Sequence, residues 1–223
     1  MPQNQLFSEV PKLAFKGLLD IFYPRICAAC NTVLNANESQ LCFYCHQSLP
    51  ETDFHLHASN AMEKVFWGRL PVVKATAFLY FSKGGKVQNL IHNVKYHSQW
   101  ETGIFLGELF GEVLHSSGFV NDIDLIIPVP LHTKKLKKRG YNQSTCFGQG
   151  ISNTTGIPLD DQLLYRKQHS ATQTLKGRFS RWENVSEIFG VHNPSKLNNT
   201  HVMLIDDVIT TGATARAAWR ALG

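Results

Sequence analysis

Apolar positions along the chain follow two spacings, and each spacing predicts a different kind of element. Apolar residues at helical spacing predict amphipathic helices over residues 8–22, 86–96, 99–116, 142–154 and 213–222. Short apolar runs predict strands over residues 72–81, 124–130, 162–166, 187–191 and 201–205. From residue 124 onward strands and helices alternate, which favours a parallel sheet covered by helices on both faces. The sequence therefore predicts an α/β fold, with its site at the carboxyl ends of the strands.

The segment over residues 202–214 joins a buried strand, two carboxylates and a small-residue loop that opens a helix. Asp206 and Asp207 suit a vicinal diol, because each carboxylate accepts a hydroxyl hydrogen bond. Loop N–H groups, hydroxyls and the positive end of the next helix suit a phosphate. The loop residues are Thr210, Thr211, Gly212, Ala213 and Thr214. A phosphate beside a diol indicates a ribose 5-phosphate; the alternative is an ordinary turn with a solvated acidic pair.

A basic segment follows the strand predicted over residues 124–130. Ten basic residues against two acidic ones lie between residues 126 and 182, which indicates phosphates of a metabolite or of a nucleic acid as partner. A Pro-Val-Pro turn followed by a basic loop suits a pyrophosphate, which needs backbone donors and cations. The candidate residues are Pro130, Leu131, His132, Lys134, Lys137, Arg139, Arg178 and Arg181. The alternatives are a solvated basic loop, or single-stranded DNA stacked on Tyr141, Phe147, Phe179 and Trp182.

Four cysteines near the N-terminus form two CxxC pairs, Cys27 with Cys30 and Cys42 with Cys45. Two such turns present four thiolates to one tetrahedral ion, so the spacing predicts a structural zinc site. With sulfur at all four positions, the ion would stabilise folding and would have no open position for catalysis. Two disulfides are the alternative, but they require an oxidising compartment. A redox CxxC is a weaker alternative, because redox motifs come singly.

Composition and charge narrow the class of protein. With 43% hydrophobic and 17% charged residues in 223, the bulk of the chain can build a core and is not disordered. The longest apolar runs are far shorter than the ~20 residues of a membrane-spanning helix, so we expect no transmembrane segment. Lys12, Lys16 and Asp20 interrupt the first amphipathic stretch, which argues against a signal peptide. We therefore expect a cytoplasmic protein.

The chain is predicted to divide into two domains at about residue 60. Residues 1–60 would hold the first helix, a zinc-ribbon-like four-cysteine module and a polar linker, and residues 61–223 the larger α/β domain. Charge divides in the same way. Three basic residues face five acidic ones in 1–60, a net of −2, so the formal total of +5 leaves +7 for 61–223.

The segment over residues 202–214 resembles the fingerprint of type I phosphoribosyltransferases. The order of further motifs is similar to that of the ComF family, which joins a four-cysteine zinc module to a phosphoribosyltransferase domain and includes competence proteins needed for DNA uptake. The motifs that carry this resemblance lie over residues 27–45, 94–97, 126–143, 171–175, 178–189 and 202–214.

The resemblance implies a type I phosphoribosyltransferase-like parallel sheet flanked by helices, and phosphoribosyl pyrophosphate as ligand. Asp206 and Asp207 would act as the catalytic pair on the ribose hydroxyls, and residues 210–214 would bind the 5-phosphate. Mg²⁺ would accompany the diphosphate. Relatives of this fold usually continue into another strand, so we expect a chain truncated after Gly223. The alternative is a competence factor that binds single-stranded DNA and keeps the pocket as a sensor or scaffold without catalysis.

Overall fold

The computed structural model describes residues 24–96, 99–167 and 188–223. Its helices are α1 (Phe43–Gln47), α2 (Ala61–Lys64), α3 (Lys86–Tyr96), α4 (Trp100–Ser116), α5 (Thr133–Arg139), α6 (Gln143–Thr155) and α7 (Ala213–Leu222). Its strands are β1 (Leu125–Pro128), β2 (Leu164–Arg166), β3 (Phe189–Val191) and β4 (Val202–Ile205). No helix within these described ranges is long and apolar enough to cross a bilayer. The helix predicted over 8–22, and Arg178 and Arg181, lie outside the described residues.

The centre of the fold is a small parallel sheet made of β1 and β4. The register runs from Leu125 opposite Val202 to Pro128 opposite Ile205. Ile126 and Ile127 are fully buried, with α6 packed against β1 and α7 against β3. The fold is mixed α/β, and the runs that became β1 and β4 form parallel strands, as predicted, whereas the prediction of one parallel sheet is wrong for β2 and β3. A second, antiparallel pair joins β2 to β3.

The prediction of a strand over residues 72–81 is wrong. Leu79 makes only an isolated antiparallel bridge with Glu51. The N–H of Thr52 donates to the carbonyl of Phe78 at 2.9 Å, and the N–H of Tyr80 donates to the carbonyl of Pro50 at 2.8 Å. The ladder cannot extend through Pro50, because proline has no N–H to donate. A suitable apolar pattern without a matching partner thus leaves extended chain and no strand.

The segment predicted as a basic loop is the helix α5. The His132 side chain caps its start by accepting a hydrogen bond from the N–H of Lys134 at 3.2 Å. Gly140, with φ of 84°, ends it in the left-handed conformation that glycine tolerates. Leu136 is exposed, so the helix has no apolar stripe that periodicity would detect. Its cations therefore project from a helix that begins next to the Pro-Val-Pro turn.

Helices α4 and α6 approach until their backbones touch. Gly103, Gly107 and Gly111 are spaced four apart on α4 and share its buried face. A Cβ on Gly107 would overlap the carbonyl of Phe147, and a Cβ on Gly150 would overlap the carbonyl of Ile104. This crossing fixes α6, and with it the end of β1 where α6 begins.

The four-cysteine segment is hydrogen-bonded to the helices that follow it. Asn89 and Asn93 on α3 donate their side-chain amides to the carbonyls of Ala29 at 2.9 Å and Ala28 at 2.7 Å. The hydroxyl of Thr102 on α4 donates to Gln40 at 2.7 Å. The division into domains over 1–60 and 61–223 stays a prediction.

Candidate functional site

The two carboxylates predicted to bind a diol follow directly on the end of β4. The N–H of Asp207 donates to Oδ1 of Asp206 at 2.9 Å, which orients the Asp206 carboxylate against the backbone of Asp207. Burial and, after it, the neighbouring charge of Asp207 raise the pKa of the Asp206 carboxyl to about 6. The charged form of Asp206 is therefore destabilised, so a ligand that donates hydrogen bonds to it would relieve that cost.

A lysine that the sequence analysis did not assign contacts this pair. Nζ of Lys95, in the last turn of α3, lies 2.7 Å from Oδ2 of Asp207. Lys95 belongs to the segment over residues 94–97 that carries part of the family resemblance. That resemblance is the one signal in the sequence for a role of Lys95 in the site, because a single lysine at the end of an amphipathic helix usually faces water.

The small-residue loop after the carboxylates leads into α7 as predicted. Gly212 adopts φ of 68° and precedes the first residue of the helix, Ala213. Thr210, Thr211 and Thr214 are exposed, so their hydroxyls face solvent at the positive end of α7. A Cβ on Gly212 would lie 2.8 Å from the side chains of Val65 and Phe66, so glycine is required here for space as well as for conformation.

The Pro-Val-Pro turn leaves the sheet at the same edge as the carboxylates. Pro128 lies opposite Ile205 in the parallel register, so the residues after each strand, 129–132 and 206–210, emerge side by side. The amide of Asn142 donates to the carbonyl of Val129 at 2.9 Å and fixes the turn to the start of α6. The hydroxyl of Tyr141 donates to the carbonyl of Val94, which joins α3 to the same place.

The predicted cations divide into two groups. Lys134 and Lys137 are exposed on α5, whereas Nη1 of Arg139 donates to Oε1 of Gln143 at 2.6 Å and so lies against the start of α6. Of the aromatic residues considered for base stacking, Phe147 packs in the core, with its ring 6.0 Å from that of Phe110. Phe147 is therefore not a DNA-stacking residue, and Phe179 and Trp182 lie outside the described residues.

The four cysteines of the two CxxC pairs converge on one point. Their Sγ atoms all lie within 4.8 Å of one another, and the Sγ atoms of Cys30 and Cys42 are 3.7 Å apart. Tetrahedral zinc with Zn–S bonds of about 2.3 Å requires S–S distances of about 3.8 Å. The cluster therefore fits a structural zinc ion, and none of the four cysteines forms a disulfide here.

The thiols of this cluster differ in their surroundings. A hydrogen bond with the hydroxyl of Thr32, 3.0 Å away, lowers the pKa of the Cys30 thiol to about 6. Burial raises the pKa of the Cys45 thiol. Zinc binds thiolates, so a bound ion would offset the burial that disfavours the charged form of Cys45.

Comparison with known proteins places the chain in a family. It is 30% identical over 193 residues to the DNA utilization protein YhgH of Escherichia coli (strain K12), which covers 85% of this chain and 80% of that protein. The same values relate it to YhgH of Shigella flexneri. Competence protein F of Haemophilus influenzae is 30% identical over 129 residues, or 56% of each chain. This chain belongs to the ComF family. No protein-family model and no solved structure matches it.

In this ComF-family chain, an apolar cavity of about 900 Å³ adjoins the carboxylates. It opens between the extended segment over residues 72–81, α3, α4 and the side of β4 that faces away from β1. Lys95, Asp206, Asp207 and Thr210 line it at one end, and Phe78 and Phe110 line it toward the core. The charged residues of the site thus lie at the mouth of an apolar cavity, where charge–charge interactions are stronger than in open water.

Proposed function

We propose that this chain binds phosphoribosyl pyrophosphate with Mg²⁺ at the carboxyl ends of β1 and β4, and that it acts in DNA uptake. One observation carries the binding proposal: the paired carboxylates, the small-residue loop and the Pro-Val-Pro turn emerge at one edge of a parallel sheet. The names of the relatives, DNA utilization protein and competence protein, support the role in DNA uptake.

Each part of the ligand has a chemical partner at this edge. Asp206 and Asp207 accept hydrogen bonds from the ribose hydroxyls. The N–H groups and hydroxyls of residues 210–214 bind the 5-phosphate, aided by the positive end of α7. The turn and the basic helix bind the diphosphate, through Pro130, Leu131, His132, Lys134, Lys137 and Arg139.

Mg²⁺ would offset the charge of the diphosphate and would be held mainly by ligand oxygens and water. Transfer of the phosphoribosyl group would then depend on how the protein positions the ribose and the diphosphate. The carboxylates hold the ribose while the cations at the other end stabilise the departing pyrophosphate. Positioning and preorganised charge are thus the catalytic contributions that this chain's residues supply.

Calorimetric titration with phosphoribosyl pyrophosphate tests the binding proposal. We expect binding to require Mg²⁺ and its affinity to fall at least about tenfold in Asp207→Asn. The neutral amide replaces one of the two carboxylates, so one charge-assisted hydrogen bond from a ribose hydroxyl is lost. Asp161→Asn is the matched control, since Asp161 is exposed and bonds only its neighbour Gln162 among the contacts described. Absence of wild-type binding with Mg²⁺ present would refute the proposal, and pyrophosphate release across nucleobases and amines would separate catalysis from binding.

The exposed face of α5 favours a second function, binding of single-stranded DNA. Four of its seven residues are exposed lysines, Lys134, Lys135, Lys137 and Lys138. A short helix with this charge density attracts a phosphate backbone without sequence preference. DNA and phosphoribosyl pyrophosphate would then compete for Lys134 and Lys137.

Replacing all four lysines of α5 by alanine tests the DNA proposal. Fluorescence anisotropy measures binding to a single-stranded oligonucleotide at several salt concentrations. The slope of log affinity against log salt concentration should become shallower by up to about 3, because each phosphate contact contributes about 0.7. A control with the same loss of charge replaces the exposed lysines Lys64, Lys74, Lys83 and Lys86. Equal losses in the two variants would show that only net charge matters and that α5 is not the contact.

A further inference from the structure

The contact between Lys95 and Asp207 links a helix outside the sheet to the predicted ribose site. The two side chains are 22% and 27% exposed, so the pair is mostly shielded from water. The ammonium lies on Oδ2 of Asp207, while Asp206 Oδ1 accepts the N–H of Asp207. Two adjacent carboxylates are thus compensated by one cation, leaving a formal charge of −1.

The backbone beside Lys95 is tied to the predicted pyrophosphate site. The carbonyl of Val94 accepts a hydrogen bond from the hydroxyl of Tyr141. Asn142, which follows Tyr141 in the chain, donates a hydrogen bond to the carbonyl of Val129 in the Pro-Val-Pro turn. The last turn of α3 is therefore connected through Tyr141 and Asn142 to the turn, and through Lys95 to the carboxylates. The last turn of α3 thus has one hydrogen-bonded link to each half of the site.

An anionic ligand beside two carboxylates meets electrostatic repulsion unless a cation lies near. An ammonium has three donors, and one contact with Asp207 leaves the others for a second acceptor. Ribose hydroxyls that donate to Asp207 would compete with Lys95 for the same oxygens. The released ammonium would then lie within the site at the moment when a diphosphate needs a cation.

We propose that Lys95 is a ligand-binding residue of this site, which pairs with Asp207 when the site is empty and binds the diphosphate of phosphoribosyl pyrophosphate when it is filled. This inference rests on the proposed function and adds to it a cation from α3. It also distinguishes between ligands: ribose 5-phosphate fills the same ribose and 5-phosphate positions but has no diphosphate for Lys95 to bind.

The test compares these two ligands, phosphoribosyl pyrophosphate with Mg²⁺ and ribose 5-phosphate, by calorimetric titration. Lys95→Met keeps most of the apolar side chain and removes the charge. We expect the affinity for phosphoribosyl pyrophosphate to fall at least about tenfold in this variant and the affinity for ribose 5-phosphate to change less than about threefold. Lys95→Arg should recover part of the loss. Lys83→Met is the control, because Lys83 is exposed just before the start of α3 and lies outside the site described above.

Amine labelling of the wild-type protein, read by mass spectrometry, keeps the inference testable if Lys95→Met does not fold. Saturating phosphoribosyl pyrophosphate with Mg²⁺ should protect Lys95, whereas ribose 5-phosphate should increase its labelling. Equal loss of both ligands in Lys95→Met, or unchanged labelling at saturation, would overturn the inference while the proposed function stands. Failure of the wild type to bind phosphoribosyl pyrophosphate would instead refute the proposed function.

Discussion

Removal of zinc should unfold the cysteine segment over residues 24–49. Regular structure within it consists of the five-residue helix α1 and an isolated bridge between Ile26 and Val33, which cannot hold the segment together alone. Structural zinc binds four-ligand sites with about 10–16 kcal/mol at neutral pH, and that binding energy acts as folding energy. Cys45→Ser should therefore lose both the metal and protection of these residues against hydrogen exchange.

Metal analysis and hydrogen exchange by mass spectrometry measure this effect. The purified wild type should hold one zinc per chain, and Cys45→Ser should hold far less. Cys146→Ser is the matched control, because Cys146 is a buried cysteine outside the cluster and its loss should leave the zinc in place. Substoichiometric zinc in the wild type, or full zinc in Cys45→Ser, would contradict the structural assignment.

The same loss should reach the proposed phosphoribosyl pyrophosphate site through α3. Asn89 and Asn93 hydrogen-bond the carbonyls of the cysteine segment, and Lys95 follows on the same helix. Each of these bonds stabilises the folded state by about 1 kcal/mol. Unfolding the segment removes both hydrogen bonds and loosens the helix that carries Lys95. The affinity for phosphoribosyl pyrophosphate should therefore fall in Cys45→Ser and should stay at the wild-type level in Cys146→Ser.

The sequence predicts best the elements whose causes are local. The sequence predicts α7 over 213–222, and the helix spans Ala213–Leu222, because Gly212 marks its start and an apolar stripe marks its length. The strand β4 and the position of Asp206 and Asp207 after it follow from a continuous apolar run that ends in charge. The four-cysteine cluster follows from spacing alone, since each CxxC turn is a local structure.

Elements that depend on distant partners could not be predicted in this way. The apolar pattern over 72–81 suits a strand, but a strand needs a ladder, and Pro50 interrupts the ladder that this segment begins within the described part of the chain. The sequence does not predict α5, because its exposed Leu136 gives no periodic signal, although His132 and Gly140 are cap residues. The pair of Lys95 with Asp207 joins residues far apart in sequence, and the packing of α3 decides it.

The crossing of α4 and α6 is a further feature of this kind, and it leads to a large expected effect on stability. Glycines spaced four apart are visible in the sequence, but only the structure shows the carbonyl of Phe147 against Gly107. The crossing places Asn142, at the start of α6, where it holds the turn after β1. A side chain at Gly107 should therefore disturb both the core and the predicted pyrophosphate site.

Gly107→Val should lower the free energy of unfolding by more than about 3 kcal/mol, because its Cβ overlaps a backbone carbonyl that cannot move without shifting α6. Urea denaturation followed by circular dichroism measures the loss. Glu112→Val introduces the same residue at an exposed position of α4 and should cost less than about 1 kcal/mol. If Gly107→Val does not fold, Gly107→Ala provides the measurement, since its better helix propensity of about 1 kcal/mol should still be outweighed by the overlap. A variant at Gly107 as stable as the wild type would show that α4 and α6 do not pack backbone to backbone.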